Sequence, residues 1–290
     1  MNWHNAVLLG LLEGLTEFLP VSSTGHLILL GDYLGANSEA GKTLDVVMQL
    51  GAVLAVVVYF RARLAKLLRG LIAREPEQVA LAKAVMIAFV PAAIFGLAFH
   101  KKIEAALFAP APVAAALIVG GVVMIGVEIW RKRAGNPGEE GLAAVTPRRA
   151  LGIGLAQCLS LWPGASRSMT TIVGGQLGGV STEAAADFSF LLAIPTLGAA
   201  TVYKLLKGGR ALLAMPGGAS SLVISMVVSF VVALVVIAAF LRFLKRFGLL
   251  PFGVYRIALG VIVLVMLGGT MAPTKGAGAA EAPAPSASAR

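Results

Sequence analysis

Apolar residues in this chain come in long blocks, with polar residues gathered between them. Four blocks, roughly 82–99, 113–130, 222–241 and 252–269, approach the ~20 residues that a helix needs to cross a bilayer. Two more, roughly 45–60 and 184–203, are shorter or carry small residues and Pro195, and also read as spans. Two stretches break the pattern. Residues 7–19 are apolar, stop at Pro20 and restart as Leu27–Leu34; residues 150–162 stop at Pro163-Gly164 and restart near Ser168. A dozen helical residues rise only ~18 Å, about half a bilayer, and proline disfavours helix at the residue before it. Each stretch therefore reads as helix, break, helix, entering and leaving on one side. Such backbone is tolerated at membrane depth only where protein or a wet cavity surrounds it.

The two broken stretches resemble each other. Gly10-Leu-Leu-Glu13 aligns with Gly154-Leu-Ala-Gln157 at an offset of 144, Pro20 with Pro163 and Ser23 with Ser166 at 143, and Asp45 with Asp187 at 142. This pattern predicts an all-α integral membrane protein built as an inverted-topology repeat, each half a re-entrant helix hairpin plus three transmembrane helices. Repeat one covers about 1–135 and repeat two about 146–270, within a single membrane domain, 1–270. An odd number of crossings per half turns the second half upside down, and the site is expected near the midplane where the broken helices meet. Residues 271–290 are an Ala/Pro/Ser/Gly tail, expected to be disordered.

Composition agrees. The chain is 58% hydrophobic and 13% charged, with a mean hydropathy of +0.88; soluble domains run near 45–50% apolar and about 25% charged. This argues against a soluble enzyme, a disordered chain and a secreted disulfide scaffold. The net charge of +10 lies in short inter-helix segments and reads as topology rather than nucleic-acid binding. On the side reached after block 45–60 there are 14 basic residues, against eight on the other side. The first side is therefore expected to be cytoplasmic, with both termini outward. The single cysteine, Cys158, excludes an intrachain disulfide and reads as packing, and the residues after Met1 lack the basic region of a cleavable signal. Asp45, Asp187 and Glu183 read as helix-start residues. Glu128 and Arg256, about a turn inside their spans, are expected to reach the membrane interface. Trp3, Trp130 and Tyr255 fit an interfacial belt, and His4 and His100 the surface.

Three charges and their polar neighbours carry candidate chemistry. Glu13 and Glu17, four apart, share a helix face. Two carboxylates in an apolar half-helix are costly unless paired or metal-bound, and oxygen ligands suit a hard cation, Mg²⁺ or Ca²⁺. Ser22-Ser-Thr-Gly-His26 follows the first break; a serine there caps a helix whose N-terminus favours anions. Ser23 and His26, about one turn apart, can face one ligand as nucleophile and acid/base partner. At the second break Arg167 is a cation whose fork fits phosphate, with Ser166, Ser168, Thr170 and Thr171 adding hydroxyls. The competing use of Arg167 is an ion pair with Glu13 or Glu17. A phosphate or diphosphate ester at membrane depth is the natural ligand of such a set.

Glu13-Gly-Leu-Thr-Glu17-Phe-Leu-Pro-Val-Ser-Ser-Thr-Gly-His26 and Pro163-Gly-Ala-Ser-Arg167-Ser resemble the two signature motifs of the bacterial undecaprenyl-diphosphate phosphatases of the bacitracin-resistance type, and Gln49-Leu-Gly51 also fits. The resemblance covers about 1–270. It implies a multi-pass hydrolase of the bacterial inner membrane with an inverted-repeat, re-entrant fold. That enzyme removes the terminal phosphate of the C55 diphosphate lipid, recycling the carrier for peptidoglycan synthesis and conferring bacitracin resistance. It implies a divalent cation, Mg²⁺ or Ca²⁺, a polyprenyl diphosphate as partner, no nucleic acid, and is compatible with a homodimer. Carried over by motif, Glu13 and Glu17 would serve metal binding and proton handling, Ser23 would be the nucleophile with Ser22 in support, and His26 the acid/base partner. Arg167 would bind the diphosphate, with Ser22, Thr24, Ser166, Ser168 and Thr171 as further substrate contacts. The division of labour between Ser23 and His26 stays open. Met169 departs from the family's usual glycine, and a side chain there is expected to crowd the second loop or reshape the phosphate pocket. The phosphatidic-acid-phosphatase type fails, because it needs a histidine shortly after the arginine and histidines occur here only at 4, 26 and 100. The alternative is a transporter or flippase of a polyprenyl phosphate or other anion, which would need no nucleophile.

Overall fold

A computed structural model describes residues 3–27, 39–214 and 217–270. Helices account for nearly all of them: α1 Trp3–Thr16, α2 Glu39–Tyr59, α3 Arg61–Ile72, α4 Pro76–Leu107, α5 Pro110–Arg133, α6 Pro147–Cys158, α7 Arg167–Leu177, α8 Thr182–Ala214, α9 Gly218–Phe247 and α10 Leu250–Thr270. A short helical turn at 23–27 follows the first break. The restart expected at Leu27–Leu34 lies outside the described residues beyond 27, as does the 271–290 tail.

Five helices, α4, α5, α8, α9 and α10, are long and apolar enough to cross a membrane. A sixth candidate is α2 with α3, bent by 74° at Phe60. The bend has a sequence cause, since α3 carries Arg61, Arg63, Lys66 and Arg69 and so favours a polar boundary over the apolar interior. Helices α4 and α8 run well past the apolar blocks that announced them, 32 and 33 residues long. Prolines at the first helical position open α4, α5 and α6, where a missing N–H costs nothing. Three basic residues close α5 and two close α9, complementing the carbonyl ends of the helices.

The two half-length helices lie against long spans: α1 packs on α9 and α6 on α4, while α5 pairs with α10 and α2 with both α8 and α9. A core of Phe18, Phe60, Phe188, Phe190 and Phe240 fills the space between them. Trp3 and Trp130 are exposed, as a belt position requires. Glu183 opens α8 as expected, and its carboxylate meets Lys245 at 2.8 Å. Asp187 sits further in and pairs with Arg63 at 2.6 Å. The side chain of Asp45 lies outside the described residues. Glu128 does not reach out to an interface. It is buried, with Lys132 Nζ at 3.4 Å and Gln176 Nε2 donating from α7 at 3.4 Å. Polar groups of a neighbouring helix make the inward position tolerable.

Candidate active site

The first break begins where α1 ends. Glu17 N–H still donates to Glu13 O at 2.9 Å, so the two carboxylates keep one face. Glu13 is fully buried and Glu17 is 6% exposed. The chain then turns through Pro20, and Ser22 takes a positive φ of 73°. Its Oγ accepts from Gly25 N–H at 3.2 Å and caps the 23–27 turn. Ser23 Oγ, the next residue, donates to Glu17 Oε2 at 2.5 Å.

The second break has the same design. Gly164 has φ +95°, and a Cβ there would press on Val113 O of α5, so only glycine fits. Ser166 again has φ 73°, and its Oγ accepts from Met169 N–H at 3.3 Å to cap α7. Ser166 therefore corresponds in geometry to Ser22, not to Ser23, with which the sequence offset paired it. Positive φ in a non-glycine residue costs about 1–3 kcal/mol and gathers at functional sites. Here it recurs at the matching serine of each break.

Arg167 opens α7, and its side chain is 8% exposed. Nη2 donates to Glu17 Oε1 at 3.2 Å, and Nη1 to Ser189 O and Oγ at 3.1 and 3.3 Å. The guanidinium lies over Phe18, 5.5 Å from its centroid. Arg167 Nε–H is buried and has no acceptor among the described residues. Glu17 thus holds a serine hydroxyl on one oxygen and an arginine on the other. Ser189, on α8, is a site residue that the sequence reading missed. It is a lone serine in an apolar stretch, and only its place beside Arg167 and Thr171 marks it. Thr171 Oγ1 meets Ser189 Oγ at 2.7 Å and also donates to Arg167 O at 2.8 Å.

Ser168 Oγ donates to Leu19 O at 2.9 Å and meets Ser166 Oγ at 3.0 Å, bracing one break against the other. Thr170 Oγ1 donates to Arg167 O. Thr24 is half-buried, and its hydroxyl makes none of the described hydrogen bonds. Met169 is buried in the core with its methyl end beside Gly120 of α5, which absorbs the side chain that was expected to crowd the loop.

His26 and Ser23 do not bond each other among the described contacts. His26 Nδ1 lies 2.7 Å from Ser22 O, and Nε2 2.7 Å from Tyr255 Oη, with the two rings stacked. A carbonyl only accepts, so Nδ1 carries the proton. The Nε2 lone pair of the neutral ring then accepts from the tyrosine hydroxyl. Tyr255, read as a belt residue, is the imidazole's partner.

Arg256 departs furthest from expectation. It does not reach the interface but is fully buried, the largest side chain so buried among the described residues. Nη1 donates to Pro20 O at 3.1 Å, Nη2 to Gly164 O and Ala116 O at 2.8 and 3.0 Å, and Nε to Leu117 O at 3.3 Å. Helix breaks free carbonyls that lipid cannot satisfy, and the guanidinium satisfies one in each break.

The profile of the bacitracin resistance protein BacA family matches residues 6–262 of this chain. An undecaprenyl-diphosphatase of Sorangium cellulosum is 66% identical over 264 residues, covering 91% of this chain and 86% of that protein. Undecaprenyl-diphosphatases of Ectopseudomonas mendocina and Bordetella avium are 46% and 42% identical, each covering about nine-tenths or more of both chains. The match spans both breaks and every helix that contributes to the cluster, and on that ground this chain belongs to the BacA family of bacitracin resistance proteins.

Proposed function

We propose that this protein hydrolyses undecaprenyl diphosphate to undecaprenyl phosphate and inorganic phosphate at the cluster between the two breaks. The observation that carries this reading is the double engagement of Glu17, with Ser23 Oγ at 2.5 Å and Arg167 at 3.2 Å in a buried setting. A carboxylate on a serine hydroxyl is an arrangement for removing its proton. A buried arginine with an unused N–H is an arrangement for an anion. Ser23 Oγ would attack the terminal phosphorus as its proton passes to Glu17 Oε2. The bond to the bridging oxygen breaks, and the lipid monophosphate leaves with those electrons. Glu17 gives that proton to the departing monophosphate oxygen and is a carboxylate again. Water then attacks the phosphoserine, its proton going to Glu17 or to His26 Nε2 once Tyr255 yields it; the P–Oγ bond breaks, and Ser23 Oγ leaves with those electrons and takes the proton back. Arg167, Thr171 and the free N–H groups at the start of α7 would hold the phosphoryl oxygens.

The donor set also fits a divalent cation. Glu13 and Glu17 are buried, one turn apart and all oxygen, and Mg²⁺ is commonly held by one or two carboxylates plus substrate phosphates. Such an ion, when bound, would neutralise diphosphate charge and polarise the phosphoryl group. A transporter needs the anion site but has no use for a serine activated by a carboxylate.

The same reading includes an inverted-topology repeat. It is supported by the matched serines 22 and 166 and by the packing of α1 on α9 and α6 on α4. Gly10 and Gly154, at one offset, are both pressed on the backbone of a neighbouring span. It further includes insertion in the bacterial inner membrane with both termini outward, supported by the charge bias of the loops. Purified protein in detergent tests the activity. Phosphate release from a C55 or C15 diphosphate should depend on Mg²⁺ or Ca²⁺ and stop with chelator.

A further inference from the structure

We infer that Arg256 is a positioning residue, whose guanidinium clamps the two breaks together and so sets the spacing of Ser23 and Arg167. This rests on the site assignment above. The register of the clamp is the same in both breaks. The bound carbonyl of Pro20 lies three residues before Ser23, and that of Gly164 three residues before Arg167. Three residues reach at most about 10 Å, so a shift at either carbonyl is delivered directly to the hydroxyl or the guanidinium. The remaining two acceptors, Ala116 O and Leu117 O, fix the clamp to α5. All four partners are carbonyls, and no carboxylate pairs with Arg256 among the described residues. A cation kept at this depth without a counter-ion is a functional candidate by default.

The surroundings are shaped for the fork. Gly120 of α5 leaves the space shared by Nη2 and the methyl end of Met169, and a Cβ there would collide with both, with Nη2 most closely. Lysine would keep the charge but presents a single point with three donors, which cannot reach carbonyls on three separate elements. Satisfying carbonyls could by itself be a purely structural role, so the test must read more than stability.

The experiment measures kcat for phosphate release from a C15 diphosphate, with detergent melting curves, for Arg256→Lys, Gly120→Ala, Arg167→Lys and the Arg256→Lys/Arg167→Lys double variant. Gly260→Ala, which strains the same α5–α10 contact against Ile118 and Ala114 without touching the guanidinium, is the packing control. Arg256→Lys and Gly120→Ala should each lose at least about tenfold in kcat while still melting cooperatively, Arg256→Lys at a lower temperature because it leaves buried carbonyls unbonded. The double variant should lose no more than about threefold beyond Arg167→Lys, because positioning is worthless once the positioned group is gone. Gly260→Ala should stay within about threefold of the parent. The proposal is overturned if Arg256→Lys and Gly120→Ala keep full kcat, if the losses multiply in the double variant, or if Gly260→Ala loses as much. Should Arg256→Lys fail to fold, Gly120→Ala decides; failure of both to fold would make the clamp a folding device and overturn it. Ser23→Ala runs alongside. If it stays active, the site assignment falls; if it is dead while Arg256→Lys is fully active, only the clamp falls.

Discussion

Glu17 and Arg167, 150 residues apart in sequence, meet at 3.2 Å with both side chains less than a tenth exposed. The pair joins the two breaks, and Ser23 is bonded to the other oxygen of the same carboxylate. Removing one partner of a buried pair leaves an uncompensated charge, at about 3–5 kcal/mol. Arg167→Ala should therefore lower the melting temperature and abolish phosphate release, whereas Arg167→Lys should melt near the parent and still lose most activity. Melting curves and phosphate release in detergent check both.

Glu17→Gln keeps the shape but removes the base proposed for Ser23 and the counter-charge of Arg167. Loss of a positioned base costs about 10²- to 10⁴-fold, and kcat should fall in that range. A drop confined to KM would place Glu17 in binding alone.

Glu13→Gln should weaken the cation dependence, moving the Mg²⁺ titration midpoint upward while saturating metal restores part of the rate. An unchanged midpoint would remove Glu13 from metal binding.

Gly164→Ala combines a strained φ of +95° with a Cβ pressed on Val113 O. It should destabilise by about 1–3 kcal/mol or more, and lower activity because Gly164 O is an anchor of Arg256. A melting curve unchanged from the parent would contradict the geometry.

On the side of the basic loops, Arg149 holds the Glu139 carboxyl below its ordinary range through a bidentate hydrogen bond. A depressed carboxyl stabilises the fold above its unfolded value, and that contribution is lost as pH falls through the folded value. Glu139 is exposed, so the effect is small and screened by salt. Glu139→Gln should leave phosphate release unchanged at neutral pH and flatten only the acid side of the melting profile.

The spans were legible because apolar blocks of bilayer length leave little else for the chain to do. The acids, Ser23, His26 and Arg167 were legible because each is a polar residue beside a proline break in apolar sequence. What could not be read was pairing at long range. Arg256 lies 236 residues from Pro20, and Tyr255 lies 229 from His26. A lone arginine near the start of a span looks like an interfacial residue until the breaks are folded against it, and nothing in a half-exposed tyrosine announces an imidazole partner. Ser189 was hidden for the same reason. The sequence offset paired Ser166 with Ser23 instead of Ser22, because a positive φ at Ser22 has no sequence signal of its own. The bend between α2 and α3 was equally unannounced, since the apolar block simply ended at Phe60.

The most direct measurement is the rate of inorganic phosphate release from the C55 diphosphate by purified parent protein and by Ser23→Ala, His26→Ala and Arg167→Ala, each with and without chelator. The parent should release phosphate only with divalent cation present, and all three variants should be reduced at least about a hundredfold, the scale of loss for groups acting in the reaction itself. Full activity in all three variants would contradict the assignment of this cluster as the active site.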